Sequence, residues 1–256
     1  MTNSKLSAGG LDDADRLRVI SGSVDASSRA VITALDLPAD PAVLDIGAGN
    51  GSIARWVADT FPEGRVVALD KDTTLLTAEP MPGNCTVVTA DIADYTPEPA
   101  SFDLVHARFV LAHLADRDRL CARALEWIRP GGHLVVTEPF SLGVRSRYPV
   151  AAEVLGAYER YCETTGFDLT WARRVPAVMQ ANSAQVVDVR TFTGRLGGGA
   201  GVDRWYPLID RVADELIAAG LDRDTLDRFA ALCADPDTYD IPQVIMTVVG
   251  RRPGQV

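Results

Sequence analysis

The sequence predicts an α/β protein: a doubly wound, mostly parallel seven-stranded sheet with helical insertions that act as a lid. Between residues 42 and 139, short runs rich in valine and leucine alternate with stretches of helical periodicity. Such continuously apolar runs are typical of parallel strands that helices cover on both faces. Two later segments, 185–196 and 243–252, also have strand character. We expect these two strands to pair with each other at one edge of the sheet.

The alternating region supplies the five parallel strands. Their sequences, in chain order, are AVLDI, RVVALD, CTVVTA, FDLVHA and GHLVVTE. Helices are predicted between them at Ser52–Thr60, Lys71–Thr77 and Asp116–Ile128. The segment RPGG should end the last of these helices, because proline and glycine stop a helix and turn the chain. Strand, helix and strand repeated in this order imply right-handed crossovers and therefore a doubly wound sheet.

The remaining segments are predicted to be largely helical. Residues 1–36 contain two weakly amphipathic stretches, Leu11–Ile20 and Val24–Leu35, which we expect to be lid helices. Two insertions, 140–185 and 197–240, are expected to cap a ligand, because open α/β sheets bind ligands at the carboxyl ends of their strands. Helices are predicted in or beside these insertions at 150–164, 171–182, 203–220 and 222–235.

Length and charge exclude several classes of protein. The chain of 256 residues, 1–256, fits one decorated domain. Its 35 acidic residues outnumber its 25 basic ones, and a net charge of −10 repels phosphate backbones, so nucleic acid is not an expected partner. No apolar run reaches the roughly 20 residues that a membrane helix needs. The first residues lack the basic-then-apolar order of a signal peptide, so we expect a cytoplasmic protein without membrane contact.

The cysteines give no sign of a metal site or a disulfide framework. Cys85, Cys121, Cys162 and Cys233 lie far apart in the chain and form no C-x-x-C pair. Zinc sites and small disulfide-stabilised domains usually place cysteines at short, regular spacings. We therefore expect four reduced thiols and no metal.

A glycine-rich turn follows the first strand, in the segment VLDIGAGNGSIARW. A dinucleotide-binding fold needs G-x-G-x-x-G, which from Gly47 requires a third glycine at position 52. This sequence has Ser52 there and its third glycine at Gly51. Asp45, two residues before the first glycine, would repel a pyrophosphate, but it suits a ligand that carries an ammonium group. A nicotinamide-dependent oxidoreductase is therefore disfavoured.

Two further acids follow the next two strands. Asp70 ends the second strand, where a carboxylate can accept both hydroxyl groups of a ribose. Asp91 follows the third strand, where it could accept a hydrogen bond from the exocyclic amine of an adenine. An ammonium group, a ribose and an adenine together describe S-adenosylmethionine better than NAD.

Five motifs, VLDIGAGNGSIARW, VVALDKD, TADI, FDLVHARFVLAHL and RPGGHLVVTEP, resemble those of class I S-adenosylmethionine-dependent methyltransferases in order and spacing. They are most similar to the small-molecule enzymes of bacterial secondary metabolism. The resemblance implies a Rossmann-like methyltransferase fold with residues 42–139 as the cofactor-binding core. It implies that Asp45, Gly47 and Gly49 hold the methionine end, that Asp70 holds the ribose, and that Lys71, Asp91 and Ile92 border the adenine.

Methyl transfer needs an aligned nucleophile, and it needs a general base only when the acceptor is protonated. His106, expected at the tip of the fourth strand, and Glu138, expected at the tip of the fifth, are the candidate catalytic side chains. Arg108 is a candidate for holding an anionic group of the substrate. Trp171 and Trp205 lie among the aromatic residues of the insertions and are candidates for the wall of a substrate pocket.

The predicted activity is methyl transfer from S-adenosylmethionine to an oxygen or nitrogen of a small-molecule metabolite, such as an aromatic natural product. The alternative is a protein of the same fold that binds the cofactor without methylating, as a repurposed enzyme or a regulator. The sequence does not distinguish these two, does not identify the acceptor, and is equally compatible with a monomer and a homodimer.

Overall fold

A computed structural model describes residues 14–143, 145–199 and 203–254. These residues form two compact units. The larger unit contains 14–138, 173–190 and 247–254, and the smaller unit contains 139–143, 145–172, 191–199 and 203–246. The predicted insertion 140–185 is therefore divided, because its last part belongs to the larger unit.

The sheet has seven strands in the order β3-β2-β1-β4-β5-β7-β6. The pairs β1–β2, β2–β3, β1–β4 and β4–β5 are all parallel. The last strand runs antiparallel to β5, since the N–H of Gly131 donates to the carbonyl of Arg252 and the N–H of Arg252 donates to Gly132. The predicted fold class is confirmed. The strands are β1 Ala42–Ile46, β2 Arg65–Asp70, β3 Cys85–Thr89, β4 Phe102–Arg108, β5 Ile128–Ser141, β6 Gln185–Leu196 and β7 Asp240–Arg251.

Eight α-helices lie within the described residues. In the larger unit, α1 and α2 pack on one face of the sheet, where Ile32 and Val57 share a buried cluster with Val43 and Leu104. In the smaller unit, α4 contacts α7 and α8. The helices are α1 Ala14–Thr33, α2 Ser52–Thr60, α3 Arg117–Glu126, α4 Pro149–Thr165, α5 Val175–Ala181, α6 Trp205–Asp210, α7 Ala213–Ala218 and α8 Arg223–Ala234; short 3₁₀ turns cover Leu111–His113 and Trp171–Arg174.

The helix predicted at Lys71–Thr77 is wrong, because this segment is an irregular connection. The segment closes short aspartate turns instead. Asp70 accepts the N–H of Asp72 at 3.1 Å, and Asp72 accepts the N–H of Thr74 at 2.9 Å. Turns in which a side chain bonds the backbone two residues on give the chain a local alternative to a helix.

The predicted boundary between the two N-terminal helices is also wrong in the described part of the chain. One continuous helix, α1, runs through Gly22 without a break. A Cβ on Gly22 would have no neighbour within 4 Å. The prediction for residues 11–13 lies outside the described residues. The helix predicted at Ser52–Thr60 is confirmed with the same bounds.

The segment RPGG lies inside a strand rather than between a helix and a strand. Phe102 pairs with Ile128, but Leu104 pairs with His133, so β5 has additional residues that bulge out of the ladder. Gly131 takes a φ of 87° in this bulge. The preceding helix, predicted to reach Ile128, ends at Glu126.

Two predicted helices are each divided in the structure. The one at 171–182 is a 3₁₀ turn followed by α5, which has Pro176 in its first turn. The one at 203–220 consists of α6 and α7. The Asp203 carboxylate accepts the N–H groups of Trp205 and Tyr206 at 3.1 and 2.7 Å, and this interaction fixes the start of α6.

Candidate active site

The glycine turn between β1 and α2 has three left-handed residues. Gly47, Gly49 and Gly51 have φ values of 63°, 59° and 77°, which side chains with a Cβ rarely adopt. The N–H of Ala48 donates to the carbonyl of Leu69 in β2, at 3.1 Å. The alternating glycines therefore serve the backbone conformation that turns β1 into α2.

Two of these glycines also make room for side chains of the protein itself. A Cβ on Gly47 would lie 2.2 Å from Cγ2 of Val110, and one on Gly51 would lie 2.8 Å from Cδ2 of Leu76. A Cβ on Gly49 would meet only Leu17 of α1, at an ordinary 3.6 Å. The turn is thus tightly packed against Val110 at Gly47 and against Leu76 at Gly51, and it is more open at Gly49.

Asp70 lies beside this turn, as the sequence predicts. Its Oδ2 accepts the N–H of Gly49 at 2.8 Å, and its Oδ1 accepts the N–H of Asp72 at 3.1 Å. Burial raises the pKa of the Asp70 carboxyl above its usual value, against the lowering effect of these N–H groups and of Lys71. An ionised carboxylate has about four acceptor positions, so Asp70 can also accept ligand hydroxyls.

The residues expected around an adenine follow β2 and β3. Lys71 is exposed directly after Asp70. Ala90 donates its N–H to the carbonyl of Asp70, and this bond places the next residue, Asp91, beside the end of β2. Asp91 is exposed and accepts the N–H of Ala93, whereas Ile92 is buried.

Asp45 and His106 form a buried pair across β1 and β4. The two residues are in register, and Nδ1 of His106 lies 2.7 Å from Oδ1 of Asp45. Because an ionised carboxylate can only accept, Nδ1 carries the proton of this hydrogen bond. Nε2 of His106 is buried and has no hydrogen-bond partner among the described residues. His106 lies two residues before the end of β4 and is 1% exposed, so it is not at the strand tip.

Arg108 ends β4, and its guanidinium bonds to α1. Nη1 donates to Oδ1 of Asp25 at 2.8 Å and to the hydroxyl of Ser28 at 3.2 Å. The Ser52 hydroxyl, at the start of α2, donates to the same Asp25 oxygen at 3.0 Å. These contacts tie the end of β4 to α1 and to α2, and the binding of an anionic substrate group by Arg108 stays a prediction.

Glu138 is fully buried within β5. Its Oε1 accepts the backbone N–H groups of Val110, Leu111 and Ala112 at 3.1, 2.7 and 3.2 Å. Its Oε2 has no hydrogen-bond partner within the described chain. Burial raises the pKa of Glu138 to about 8, although the three N–H groups and Arg117 lower it. β5 continues to Ser141, so Glu138 is not at the tip of its strand, and its contacts are with the backbone after β4.

The two candidate tryptophans are buried in the smaller unit. Trp205 packs edge-on against Tyr158, with ring centroids 6.1 Å apart, and its indole N–H donates to the carbonyl of Gly194 at 3.4 Å. Trp205 also borders a small pocket, whereas Trp171 is fully buried and does not line it. The pocket is lined by Ser141, Gly143, Leu155, Tyr158, Glu159, Leu169, Trp205, Pro242 and Gln243.

Sequence reasoning missed one polar group of this pocket. Gln243 is 4% exposed, and its Oε1 is buried without a hydrogen-bond partner in the described part of the chain. The signal available in the sequence was a lone amide in the apolar run IPQVIMTVV. Glu159 accepts the hydroxyl hydrogen of Ser141 in the same pocket.

The described residues lack two further features, a metal-binding cluster and a membrane-spanning helix. Across 14–143, 145–199 and 203–254, no group of three or more His, Cys, Asp or Glu side chains is arranged to hold a metal ion. No helix in these ranges has the length and apolar character needed to cross a bilayer.

Part of the chain is similar to known proteins. Residues 43–132 match a family described as a methyltransferase domain. The chain is 37% identical over 105 residues to methyltransferase str3 of Strobilurus tenacellus. This match covers 41% of this chain and 37% of that protein. It is 35% identical over 107 residues to trans-aconitate 2-methyltransferase of Acidovorax sp. strain JS42, and this match covers 41% of each protein. The matched segment thus spans about two fifths of each of these relatives.

A solved structure extends the likeness to most of the chain, at the level of the fold. Mycolic acid cyclopropane synthase CmaA1, complexed with SAH and CTAB, aligns with a TM-score of 0.64 and 14% identity, over 96% of this chain and 97% of that one. The family match and the named relatives support a class I S-adenosylmethionine-dependent methyltransferase domain in this segment, with S-adenosylmethionine as the cofactor.

Proposed function

We propose that this protein transfers the methyl group of S-adenosylmethionine to an oxygen or nitrogen of a small-molecule metabolite. The observation that carries the proposal is the contact between Asp70 and the glycine turn, within the segment that matches the methyltransferase family. In that arrangement, an acid that can accept ribose hydroxyls lies 2.8 Å from the N–H of Gly49. S-adenosylmethionine, when bound, supplies an already activated methyl group on a sulfonium.

The residues of the turn fit this cofactor. Gly49 is the least crowded of the three glycines, so a ligand can approach the backbone there. Asp70 would hold the ribose, and Lys71, Asp91 and Ile92 would border the adenine. Asp45, with Gly47 and Gly49, would hold the methionine end.

Within this proposal, His106 has a positioning role first. Its Nδ1 lies 2.7 Å from the Asp45 carboxylate and holds that side chain in place, and its buried Nε2 has no partner among the described residues and is available to a polar group of a ligand. The His106 ring is only 1% exposed. A methyl acceptor would therefore have to enter the buried interior before His106 could remove its proton. Alignment of nucleophile and methyl therefore supplies most of the rate enhancement, a contribution of about 7–11 kcal/mol in the best model systems.

For the acceptor, we assign the pocket of the smaller unit. Trp205 and Tyr158 offer apolar ring surface, and the unpaired Oε1 of Gln243 offers a buried acceptor. These groups suit a flat, uncharged molecule that presents a hydroxyl or amine hydrogen. Trp171 would support the pocket from within the core of the unit.

The function is tested by binding and by transfer. Isothermal calorimetry should show binding of S-adenosylhomocysteine and none of NAD. Methyl-labelled S-adenosylmethionine should then label a phenol or an amine from a panel that also contains trans-aconitate. No binding of S-adenosylhomocysteine would overturn the proposal. Binding without transfer to any panel member would favour a protein that uses the cofactor without methylating, and transfer to trans-aconitate alone would refute the uncharged acceptor.

The acceptor pocket makes a separate prediction. Trp205→Leu should raise the KM for the acceptor by about 10-fold or more, because an aromatic contact surface is lost. The Kd for S-adenosylhomocysteine should stay unchanged in calorimetry. Tyr239→Leu is the matched control, because Tyr239 is a 51% exposed aromatic residue of the same unit outside the pocket. Equal kinetic effects of the two substitutions would refute the assignment.

A further inference from the structure

The loop after β4 holds an aromatic residue in a strained conformation. Phe109 has a φ of 57°, in the left-handed region that favours glycine. Its N–H donates to the carbonyl of Thr137 in β5, at 2.9 Å. Backbone strain of this kind persists only where surrounding contacts impose it, and it is frequent at functional sites.

Glu138, the residue after Thr137, holds the loop directly after Phe109. One carboxylate oxygen accepts three successive N–H groups, from Val110 to Ala112, at 2.7–3.2 Å. These are the first backbone donors of the 3₁₀ turn, which otherwise has no side-chain cap. A buried side chain of β5 therefore fixes the position of the loop that leaves β4.

The same loop packs on the glycine turn. Val110 presents Cγ2 to Gly47 so closely that a Cβ on Gly47 would lie 2.2 Å from it. A continuous set of contacts thus runs from the Glu138 carboxylate, through the backbone and side chain of Val110, to the first glycine of the turn. All of these residues belong to the larger unit.

We propose that Glu138 is a positioning residue for the cofactor: its carboxylate seats Val110 against Gly47 and so keeps the glycine turn in its binding conformation. This assignment rests on the proposed function for the identity of the cofactor, but the contact path itself does not. Glu138 is not assigned to the chemical step, because its Oε1 is saturated by backbone donors and the side chain is fully buried.

The test compares Glu138→Ala, Glu138→Gln and Val110→Ala, with S-adenosylhomocysteine as the probe. Calorimetry should show at least about a 10-fold weaker Kd for Glu138→Ala, because the loop loses its three anchoring bonds. Glu138→Gln should recover most of the affinity, since its amide oxygen can accept the same N–H groups. The Glu138→Ala/Val110→Ala double variant should be no weaker than the worse single variant, because both changes act on one path.

Thr137→Val is the matched control for general loss of stability. Thr137 is a buried neighbour on β5, and its hydroxyl bonds to that of Thr247 at 2.9 Å, away from the loop. This variant should lower Tm and leave the Kd unchanged. The proposal is overturned if Thr137→Val weakens binding as much as Glu138→Ala, if Glu138→Ala binds normally, or if the two single effects add.

A readout without cofactor separates this proposal from the proposed function. In two-dimensional NMR spectra of the unliganded protein, Glu138→Ala should shift the amide resonance of Gly47 and speed amide exchange at Leu111 and Ala112. If these changes occur but the wild type does not bind S-adenosylhomocysteine, the proposed cofactor is wrong and the contact path stands. If the wild type binds but the Gly47 resonance does not move, the positioning role is refuted.

Discussion

At the residue scale, Asp70 uses part of its acceptor capacity on the chain and leaves part for a ligand. Asp70→Ala should weaken S-adenosylhomocysteine binding by about 100-fold or more, because the ribose offers two hydroxyls and hydrogen bonds to a charged group contribute roughly 1.5–3 kcal/mol each. Asp94→Ala is the matched control, an exposed acid after β3 that carries the same charge. Calorimetry measures both, and equal Kd values for the wild type and Asp70→Ala would contradict the assigned role.

Glu138 makes the stability of the protein depend on pH in a defined direction. Its pKa rises from the usual 4.5 to about 8 on folding because of burial, with Arg117 and the N–H groups opposing the shift. The folded state therefore holds the proton more tightly, so the stabilisation is complete below about pH 4.5 and is lost as the pH rises through about 8.

The expected outcome is a pH-dependent difference between the wild type and Glu138→Gln. In urea unfolding from pH 5 to 9, the free energy of unfolding of the wild type should fall relative to the variant, by at most about 1.4 kcal/mol per pH unit. A constant difference across this range would show that Glu138 does not change its protonation on unfolding.

The position of a residue was predictable where a short sequence pattern defines it. Its partners were less predictable where they depend on the order of the strands. Asp70 lies at the end of β2 and the three glycines lie in the turn after β1, as predicted, because strand ends and glycine turns carry recognisable sequence patterns. The Asp45–His106 pair was not predicted, because nothing local says that β4 lies next to β1. The ion pair of Arg108 was not predicted either, because its partner Asp25 lies 83 residues earlier in the chain.

At the scale of elements, α1 is attached to the site by polar contacts rather than by apolar packing alone. Asn50 of the glycine turn donates to the hydroxyl of Ser21 at 3.1 Å, and Asp25 receives both Arg108 and Ser52. These contacts hold the described part of the N-terminal segment, α1, beside the glycine turn and the end of β4. Its role as a lid remains a prediction.

The ion pair between Arg108 and Asp25 should stabilise the folded protein and slow amide exchange in α1. The two side chains are only 11% and 15% exposed, so Arg108→Ala removes a poorly screened interaction and should cost about 1.5–3 kcal/mol of unfolding free energy. Arg119→Ala is the matched control, because the Arg119–Asp116 pair is 59% and 61% exposed and should change stability by less than about 0.5 kcal/mol. Amide exchange in α1 should accelerate only in Arg108→Ala, and a slow-exchanging α1 in that variant would contradict the role.

Elements with clear periodicity were predicted well, and the errors have specific causes. The predicted bounds of α2 and β6 agree with the structure, because an amphipathic stripe and a strand alternation define them. The predicted helix after Asp70 is absent, and the segment closes short aspartate turns instead. The helix before RPGG was drawn too long, because a bulge inside a strand has the same glycine and proline signature as a turn.

At the scale of the whole molecule, all four cysteines are free thiols. Burial raises the pKa of Cys85 to about 11 and those of Cys121 and Cys162 to about 12, and it raises the pKa of Cys233 as well. Thiolate is the reactive form, so the folded protein should react very slowly with a disulfide reagent at pH 8. Cys85 is the least buried, so no thiol other than that of Cys85 should react with the reagent in the folded protein. All four thiols should react with it in denaturant.

Spectrophotometric titration of the thiols checks this prediction. Cys85→Ser is the informative variant, because it should abolish any reaction of the native protein. Rapid reaction of two or more thiols without denaturant would mean that the cysteines of the smaller unit, Cys162 and Cys233, are accessible in solution. Fewer than four thiols in denaturant would contradict the expectation of fully reduced cysteines.

The strand order has a consequence for how the polypeptide is synthesised. β7 is made after the other six strands of the sheet, yet it occupies an interior position between β5 and β6. Until β7 emerges from the ribosome, both of those strands have unpaired backbone edges that can associate with other nascent chains. A chain truncated before residue 240 would therefore aggregate rather than form a smaller folded protein. Slow translation of residues 240–251 would lengthen the interval in which chaperones are needed.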